Sequence, residues 1–233
     1  NGQAESGYAA IFSSVTGARL FKFDGFAPSD ETGTSVSGVG DLDGDGVPDV
    51  LVGAPLADVN GRSNAGSIFV YSGADGHLIR RLDGPNQNDQ FGFSVASIGD
   101  LDGDGVRDIL AGSPNHDGPP GSNSGAVFVI SGATGGPIFD TFGSMAQATY
   151  GTAVAAVGDI DGDLFPDFVA GAPTTNQMTF EKGGQILVRS GFDGSLIHSF
   201  DGEGAGHRLG TAVADVGDLD DDGVPDFAGG ASN

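Results

Sequence analysis

The sequence predicts an all-β fold, a β-propeller of four four-stranded blades built from one 59-residue repeat. Three observations predict it: an Asp-rich segment recurs four times at one spacing, short apolar runs lie between turns, and glycine is abundant. The 233-residue chain contains 43 glycines, well above the roughly 7% of average proteins. Because these glycines separate regular apolar runs, they indicate many tight turns rather than disorder.

The repeat is defined by several landmarks that share one register. The Asp-rich segment starts at four glycines, each 59 residues after the last: Gly40, Gly99, Gly158 and Gly217. Further glycines keep the same step before the first apolar run, after the Asp-rich segment and before the third run: Gly33, Gly92, Gly151 and Gly210; Gly53, Gly112, Gly171 and Gly230; Gly7, Gly66, Gly125 and Gly184. This agreement predicts one structural unit per 59 residues.

Four short strands are predicted within each repeat, and the second repeat illustrates them. Its runs at 94–98, 108–111, 126–131 and 137–142 are rich in Val, Ile, Phe and Leu. Gly, Pro, Asp or Ser bounds each run, and the SGATG segment starting at Ser131 is typical of a hairpin turn. Four strands in a repeat of this size predict a propeller blade.

The predicted domain covers residues 1–233, with a half-blade over 1–31, repeats starting near 32, 91 and 150, and a final half-repeat over 209–233. The first half-blade carries strands three and four, and the last carries strands one and two. We expect these halves to complete one blade, within the chain or between chains, because unpaired strand edges invite aggregation. Pairing between chains would give a dimer or an open polymer. The chain starts at Asn1 without a signal-like segment, so we expect a processed form or a fragment.

The Asp-rich segments predict calcium sites. Calcium takes 6–8 oxygen ligands, which the spacing D-x-D-x-D-G-x-x-D supplies from four carboxylates and one backbone carbonyl, with glycine allowing a sharp turn. About four Ca²⁺ sites are predicted, and their ligands are Asp41, Asp43, Asp45, Val47 and Asp49; Asp100, Asp102, Asp104, Val106 and Asp108; Asp159, Asp161, Asp163, Phe165 and Asp167; and Asp218, Asp220, Asp222, Val224 and Asp226.

A simple turn, a magnesium site and a zinc site all fit these segments less well than calcium does. Asp and Gly are common in turns, but a turn does not need four carboxylates at fixed offsets, and these would repel one another without a cation. Magnesium keeps its waters, and zinc prefers Cys and His. Leu164 stands where the other loops have glycine, so the third site is predicted to be the weakest or to use a different turn. Asp221 adds a charge near the fourth site.

Composition excludes several functions. The formal charge is -23, which disfavours binding to nucleic acids and anionic membranes. The predicted loops hold 17 of the 32 acidic residues, counting Asp221, so cation binding accounts for much of this charge. There is no cysteine, and no apolar run of 18 residues that would predict a membrane span. We therefore expect no nucleic-acid partner and no membrane insertion.

The second repeat resembles a known family. The segment FGFSVASIGDLDGDGVRDILAGSP, from Phe91 to Pro114, is similar to the FG-GAP repeat of integrin α-subunits and of many secreted bacterial proteins. Phe91-Gly92 matches FG, while Gly53-Ala54-Pro55 and Gly171-Ala172-Pro173 match GAP. The resemblance implies a β-propeller with calcium in the loop between strands one and two of each blade.

The chain also departs from that family. FG is replaced in the other three repeats, and the last GAP reads Gly230-Ala231-Ser232. Integrin propellers have seven blades and this chain has four, which leaves ring closure open. Ligand recognition by integrins also requires a partner subunit, so it is not transferred to this chain.

We interpret the chain as a secreted or cell-surface calcium-binding module for extracellular binding, adhesion or scaffolding. The alternatives are a subunit that self-assembles through its half-blades, a glycan-binding module, and a non-catalytic part of a secreted enzyme. No catalytic residue is predicted, because none of the four histidines recurs in the repeat register; His77, His116, His198 and His207 are expected in loops or at the surface. A protein or glycan partner is expected at the variable loops 56–65, 115–124 and 174–183, for which a merely solvated role is the alternative.

Overall fold

The computed structural model describes residues 6–176 and 183–232. Every regular element in these ranges is a β-strand, which confirms the predicted all-β fold class. The sixteen strands form three four-stranded and two two-stranded antiparallel sheets. No helix in the described part of the chain is both long enough and apolar enough to cross a lipid bilayer.

The strands follow the predicted order of half-blade, three blades and half-blade. Their bounds are β1 Tyr8–Phe12 and β2 Arg19–Asp24 in the N-terminal half-blade; β3 Ser35–Val39, β4 Asp49–Ala54, β5 Ser67–Tyr71 and β6 Leu78–Asp83 in blade one; β7 Ser94–Ser97, β8 Ile109–Ser113, β9 Ala126–Ile130 and β10 Pro137–Phe142 in blade two; β11 Ala153–Ala156, β12 Phe168–Ala172, β13 Gln185–Arg189 and β14 Leu196–Asp201 in blade three; and β15 Leu209–Gly217 and β16 Asp226–Ala231 in the C-terminal half-blade. Each blade is a meander in which neighbours in sequence pair.

The pairing register repeats with the sequence. In blade one, Leu51 of β4 lies opposite Val70 of β5. The residues 59 positions later, Leu110 and Val129, form the same pair in blade two. The second and third strands are almost completely buried in the complete blades, which explains their near-continuous apolar sequences.

The hydrophobic core lies between neighbouring blades as well as within them. One cluster joins Leu51 and Ile68 of blade one to Val95 and Ile109 of blade two. A second cluster joins Leu110 of blade two to residues of blade three. Each fully buried aliphatic side chain contributes about 1.5–3 kcal/mol to stability, so every blade depends on its neighbours.

The first glycine of the GAP motif is required by the close approach of adjacent blades. A Cβ atom at Gly112 would overlap the carbonyl oxygen of Gly151 in the next blade. The same relation holds for Gly53 and the Gly92 carbonyl oxygen. The Ser94 hydroxyl donates a hydrogen bond to the Gly151 carbonyl oxygen at 2.8 Å, which ties the two blades together at this point.

The two half-blades do not pair with each other in this structure. Strands β1–β2 and β15–β16 form separate two-stranded sheets, so closure within one chain, one of the two predicted alternatives, is not formed. The physical reason is their position: Ala9 and Phe23 pack against blade one, whereas Val213 packs against blade three. The half-blades therefore lie at opposite ends of the blade series.

Candidate metal centres in the Asp-rich loops

Each Asp-rich loop of a complete blade connects the first and second strands and lies against the turn between strands three and four. In blade one the backbone N–H of Gly73, in that turn, donates to Asp49 Oδ1 at 3.1 Å. Blades two and three repeat this contact with Gly132 to Asp108 and Gly191 to Asp167, each at 3.0 Å. The meander thus places the loops and these turns on the same face of the molecule.

The first aspartate of each loop shapes the turn. The Asp41 carboxylate accepts hydrogen bonds from the N–H groups of Gly44 at 2.7 Å, Asp45 at 3.1 Å and Gly46 at 2.7 Å. These hydrogen bonds, with that of Gly46 the strongest influence, lower the pKa of Asp41 because they favour the ionised carboxylate. The same hydrogen-bond pattern recurs at Asp100 and Asp159.

The last aspartate of the loop is buried in each complete blade: Asp49, Asp108 and Asp167. Asp108 Oδ2 accepts from Leu101 N–H at 2.7 Å, while its Oδ1 accepts from Gly132. Burial raises the pKa of Asp108, and the negative charges of Asp102 and Asp104 raise it further. A bound cation would oppose this rise in pKa, because it favours the ionised form of every carboxylate around it.

Three carboxylates converge in each of the four loops. One oxygen from each member of a group lies within 4.8 Å of the others, and the groups are Asp41, Asp43 and Asp45; Asp100, Asp102 and Asp108; Asp159, Asp161 and Asp167; and Asp218, Asp220 and Asp226. The remaining predicted carboxylates belong to the same loops but not to these groups: Asp49, Asp104, Asp163 and Asp222. The carbonyl ligands proposed at Val47, Val106, Phe165 and Val224 stay predictions.

The donor set fits a hard divalent cation. All converging side-chain atoms are carboxylate oxygens, which are typical ligands of calcium, whereas structural zinc sites are built from Cys sulfur and His nitrogen. The Asp carboxylates would hold the cation, and the cation would supply charge neutralisation and a link between the two halves of the loop.

A serine hydroxyl near each complete loop was not predicted from the sequence. Ser131 Oγ lies 3.4 Å from Asp104 Oδ2, and Ser72 and Ser190 make the matching contacts with Asp45 at 3.5 Å and Asp163 at 3.3 Å. A signal for it exists, because the Ser-Gly dipeptide of the SGADG-type turn keeps the 59-residue step. Taken alone, that dipeptide indicates only a hairpin turn.

The third loop keeps the turn of the other loops despite its leucine. Leu164 has φ 76°, in the left-handed region, close to the φ 88° of Gly46 and the φ 90° of Gly105. Its N–H donates to Asp159 Oδ2 at 2.9 Å, as the glycines do at their own sites. The alternative of a different turn is therefore not adopted, and the side chain, 89% exposed, has no packing that would offset the strain.

The fourth loop lacks the partners that the other loops have. Asp226 accepts from Leu219 N–H at 2.8 Å, but no turn between strands three and four contacts it among the described residues. Asp221 also adopts a left-handed conformation, with φ 60°, where the other loops have glycine.

The family model for the FG-GAP repeat matches residues 32–71 and 91–130. The chain carries FG-GAP repeats. It is 35% identical over 206 residues to integrin alpha-5 of Xenopus laevis, covering 81% of this chain and 19% of the relative. It is 29% identical to integrin alpha-PS2 of Drosophila melanogaster, covering 73% of this chain and 13% of the relative. The chain therefore spans a fifth or less of the length of these relatives.

Among solved structures, the chain is similar to a rhamnogalacturonan lyase of Bacillus licheniformis, with a TM-score of 0.52 and 16% identity. The similarity covers 96% of this chain and 48% of the lyase. The rhamnogalacturonan lyase YesW gives a TM-score of 0.51 at 16% identity. At this identity the similarity concerns the fold alone.

Proposed function

We propose that the chain is a secreted or cell-surface binding module of the adhesion type, stabilised by Ca²⁺ and without catalytic activity of its own. The convergence of three carboxylates in each of four equivalent loops carries the proposal. The similarity to integrin α-subunits supports an extracellular, adhesion-type role. Five further carboxylates, including Asp221, lie in the same loops and would add to the attraction for cations.

Calcium would act by linking segments that the fold brings together. The loop carboxylates follow the first strand of a blade, and the last aspartate begins or precedes the second strand. A cation that binds only the folded loop stabilises it by mass action, by about 2.7 kcal/mol per site at a concentration one hundred times the Kd. Millimolar extracellular calcium suits modules of this kind, whose affinities are often about 10⁻⁴–10⁻³ M.

Thermal unfolding in calcium, magnesium and EDTA tests the metal proposal. We expect the melting temperature to rise with calcium well above its value in EDTA, and magnesium to have a smaller effect. Asp104→Ala should reduce calcium affinity and part of this gain, because it removes one carboxylate from the second loop. Identical melting curves with and without calcium, in both wild type and variant, would refute the structural role of calcium.

The loops proposed to meet a partner lie on the face opposite the Asp-rich loops, because they connect the second and third strands. Loops 56–65 and 115–124 are held by hydrogen bonds to the next segment before a first strand: Asn88 N–H donates to the Ser63 carbonyl oxygen at 2.9 Å, and Gln147 N–H to that of Ser122 at 2.8 Å. Residues 177–182 of the third loop, 174–183, lie outside the described residues. This ordering favours a preformed binding face over loosely solvated loops.

A second function, self-assembly through the half-blades, is favoured by the outer edges of β1 and β16, which pair with no further strand among the described residues. In blade one, Val50 pairs with Tyr71 and Ala54 with Ser67. When β4 is replaced by its equivalent three repeats later and β5 by its equivalent one repeat earlier, the same register would pair Phe227 with Phe12 and Ala231 with Tyr8. The turn after β1 would then bring Ser13 and Ser14 to the fourth loop, in the places that Ser72 and Gly73 hold in blade one.

Disulfide cross-linking distinguishes the routes of assembly, and the chain has no native cysteine to interfere. The register above places Ile11 opposite Ala228, so Ile11→Cys and Ala228→Cys are combined. Covalent dimers or longer polymers under oxidising conditions would support assembly between chains. A disulfide within the monomer would show closure of a single chain, and absence of both products would reject half-blade pairing. Val15→Cys with Ala228→Cys serves as a control outside the register.

A further inference from the structure

The connection that leads into blade two contains a buried carboxylate with two side-chain partners on one of its oxygens. Asp89 is 3% exposed, and its Oδ2 accepts hydrogen bonds from His116 Nδ1 at 2.8 Å and from Asn86 Nδ2 at 3.1 Å. The His116 ring packs edge-on to Phe128 and stacks on Phe142. His116 was expected at a loop or surface, and it does lie in a loop, but its side chain is only 12% exposed.

Blade one keeps the carboxylate and lacks these partners. Asp30 stands 59 residues before Asp89 and is 6% exposed, while the positions of the histidine and the asparagine are Ala57 and Ala27. Asp30 Oδ2 accepts from Ala27 N–H at 2.9 Å, and its Oδ1 has no hydrogen bond from any described residue. Burial raises the pKa of Asp30, and the nearby Asp58 adds to that effect, while the Ala27 N–H and Arg81 lower it.

A cavity of about 380 Å³ lies where the two side chains are missing. Asp30, Ala27 and Ala57 line it together with Phe69, which is the equivalent of Phe128. Small-molecule sites range from about 300 to 1,000 Å³, so the cavity is large enough for a compact ligand. Blade three has no equivalent carboxylate that would require a partner, because Ala148 stands at that position.

The walls combine an aromatic surface with both kinds of hydrogen-bonding group. The Phe26 ring is 57% exposed and stacks on Phe69 at 4.8 Å. Arg81 donates hydrogen bonds from Nε to Asp83 and from Nη2 to Ser67. No described residue accepts a hydrogen bond from its Nη1. Asp30 offers a free acceptor. With Arg81 close by, the carboxylate does not require a cationic ligand, and a neutral group that both donates and accepts is favoured.

We propose that this cavity binds one neutral pyranose unit of an extracellular glycan. A sugar hydroxyl donates to Asp30 Oδ1 and a hydroxyl of the same ring accepts from Arg81 Nη1, because each hydroxyl can do both. The C–H face of the ring packs on Phe26, and Ser63 and Asn64 at the cavity wall contact the remaining hydroxyls. This inference rests on the proposed role as an extracellular binding module and names a ligand class for it, but it does not depend on the calcium sites.

The test is a titration of the ¹⁵N-labelled chain, followed by amide chemical shifts. The probes are methyl α-D-mannopyranoside, methyl β-D-galactopyranoside and methyl β-D-glucopyranoside, with imidazole as a ligand of different chemistry. We expect saturable shifts of the Ser63 and Asn64 amides with at least one glycoside. The variant that combines Ala27→Asn with Ala57→His rebuilds the blade-two arrangement inside blade one, so it should stay folded and lose this binding.

The matched controls separate binding from folding. Asp30→Ala should weaken glycoside binding about tenfold, the loss of one good hydrogen bond to a charged group, and the spectrum of each variant reports its fold. Absence of saturable shifts with all three glycosides, or equal shifts in the filled variant, would overturn the proposal. Saturable binding of imidazole alone would overturn the sugar class. Calcium-dependent melting would remain in each of these cases if the broader proposed function is correct.

Discussion

The second and fourth Asp-rich loops have nearly the same sequence, GDLDGDGVRD and GDLDDDGVPD, but different surroundings. Asp108 is fully buried and accepts hydrogen bonds from two amides, one of them in the turn between β9 and β10. Asp226 is only half-buried and accepts from the amide of its own loop. The loop therefore folds locally, but the surroundings of its candidate metal centre are completed by the outer half of the same blade. Near-identical loop sequences therefore have unequal surroundings in the two halves of the comparison.

The largest difference is expected when the last aspartate is removed. Asp108→Ala leaves the buried Gly132 N–H and the part-buried Leu101 N–H without acceptors, so we expect a loss of about 2–4 kcal/mol in the free energy of unfolding. Asp226→Ala should lower the free energy of unfolding by less than about 1 kcal/mol, because the exposed Leu219 N–H can donate a hydrogen bond to water instead. Urea unfolding in EDTA measures both effects apart from calcium. Equal losses would show that the outer half-blade does not matter to the loop.

Calcium affinity should follow the same order. We expect the fourth site to bind about tenfold more weakly than the first and second, a difference of about 1.4 kcal/mol, because it lacks the serine and glycine contacts. The sequence alone predicts the third site as the weakest of the four because of Leu164; the contacts missing from the fourth loop lead us to expect the fourth site to be weaker still, with the third the weakest of the three complete blades. Isothermal titration of wild type and of Asp220→Ala checks the assignment: the variant should lose only the weakest class of sites. If it removes a tight site instead, the comparison fails.

The strain at Leu164 should have a smaller effect on stability. Leu164→Gly relieves a left-handed conformation that costs roughly 1–2 kcal/mol for a non-glycine residue, less the greater entropy loss of glycine. We expect a net gain of about 0.5–1 kcal/mol in EDTA by urea unfolding. Gly105→Leu, the reciprocal change in blade two, should destabilise by a similar or larger amount. A loss of stability in Leu164→Gly would mean that the exposed leucine has a favourable contact.

The smallest effect concerns the serine near the loop. Ser131→Ala removes a long hydrogen bond to Asp104, so we expect a loss of about 0.5 kcal/mol and a slight loss of calcium affinity at the second site. Ser13→Ala, at the equivalent position of the N-terminal half-blade, removes only an exposed hydrogen bond from Thr16 N–H, so it should leave calcium binding at the fourth loop of the monomer unchanged. A clear effect of Ser13→Ala on the fourth site would instead show that the half-blades pair.

The sequence was sufficient for the repeat, the all-β class and the positions of the strands, because a constant 59-residue step places the same apolar runs and turns in every blade. It was also sufficient to bring three carboxylates of each loop together, since their spacing is local. Contacts that depend on tertiary packing were not predicted: the Ser131 hydroxyl and the Gly132 amide contact loop residues that lie 27 and 24 positions earlier in the chain. The burial of His116 was not predicted for the same reason, because it depends on packing beside Asp89, which lies 27 positions earlier in the chain.

The contact between Gly112 and the Gly151 carbonyl oxygen has a consequence for how such a chain could change over generations. Every close contact of this type joins a residue to the matching part of the adjacent unit, so the geometry between neighbours is encoded anew within each 59-residue segment. Duplication or deletion of one whole segment would leave all remaining junctions chemically unchanged. Gain or loss of another length between a junction glycine and its strands would bring a side chain against a carbonyl oxygen where only hydrogen fits. Lineages of this chain should therefore differ in size by whole units, with loop 56–65 and its counterparts as the places where smaller insertions are tolerated.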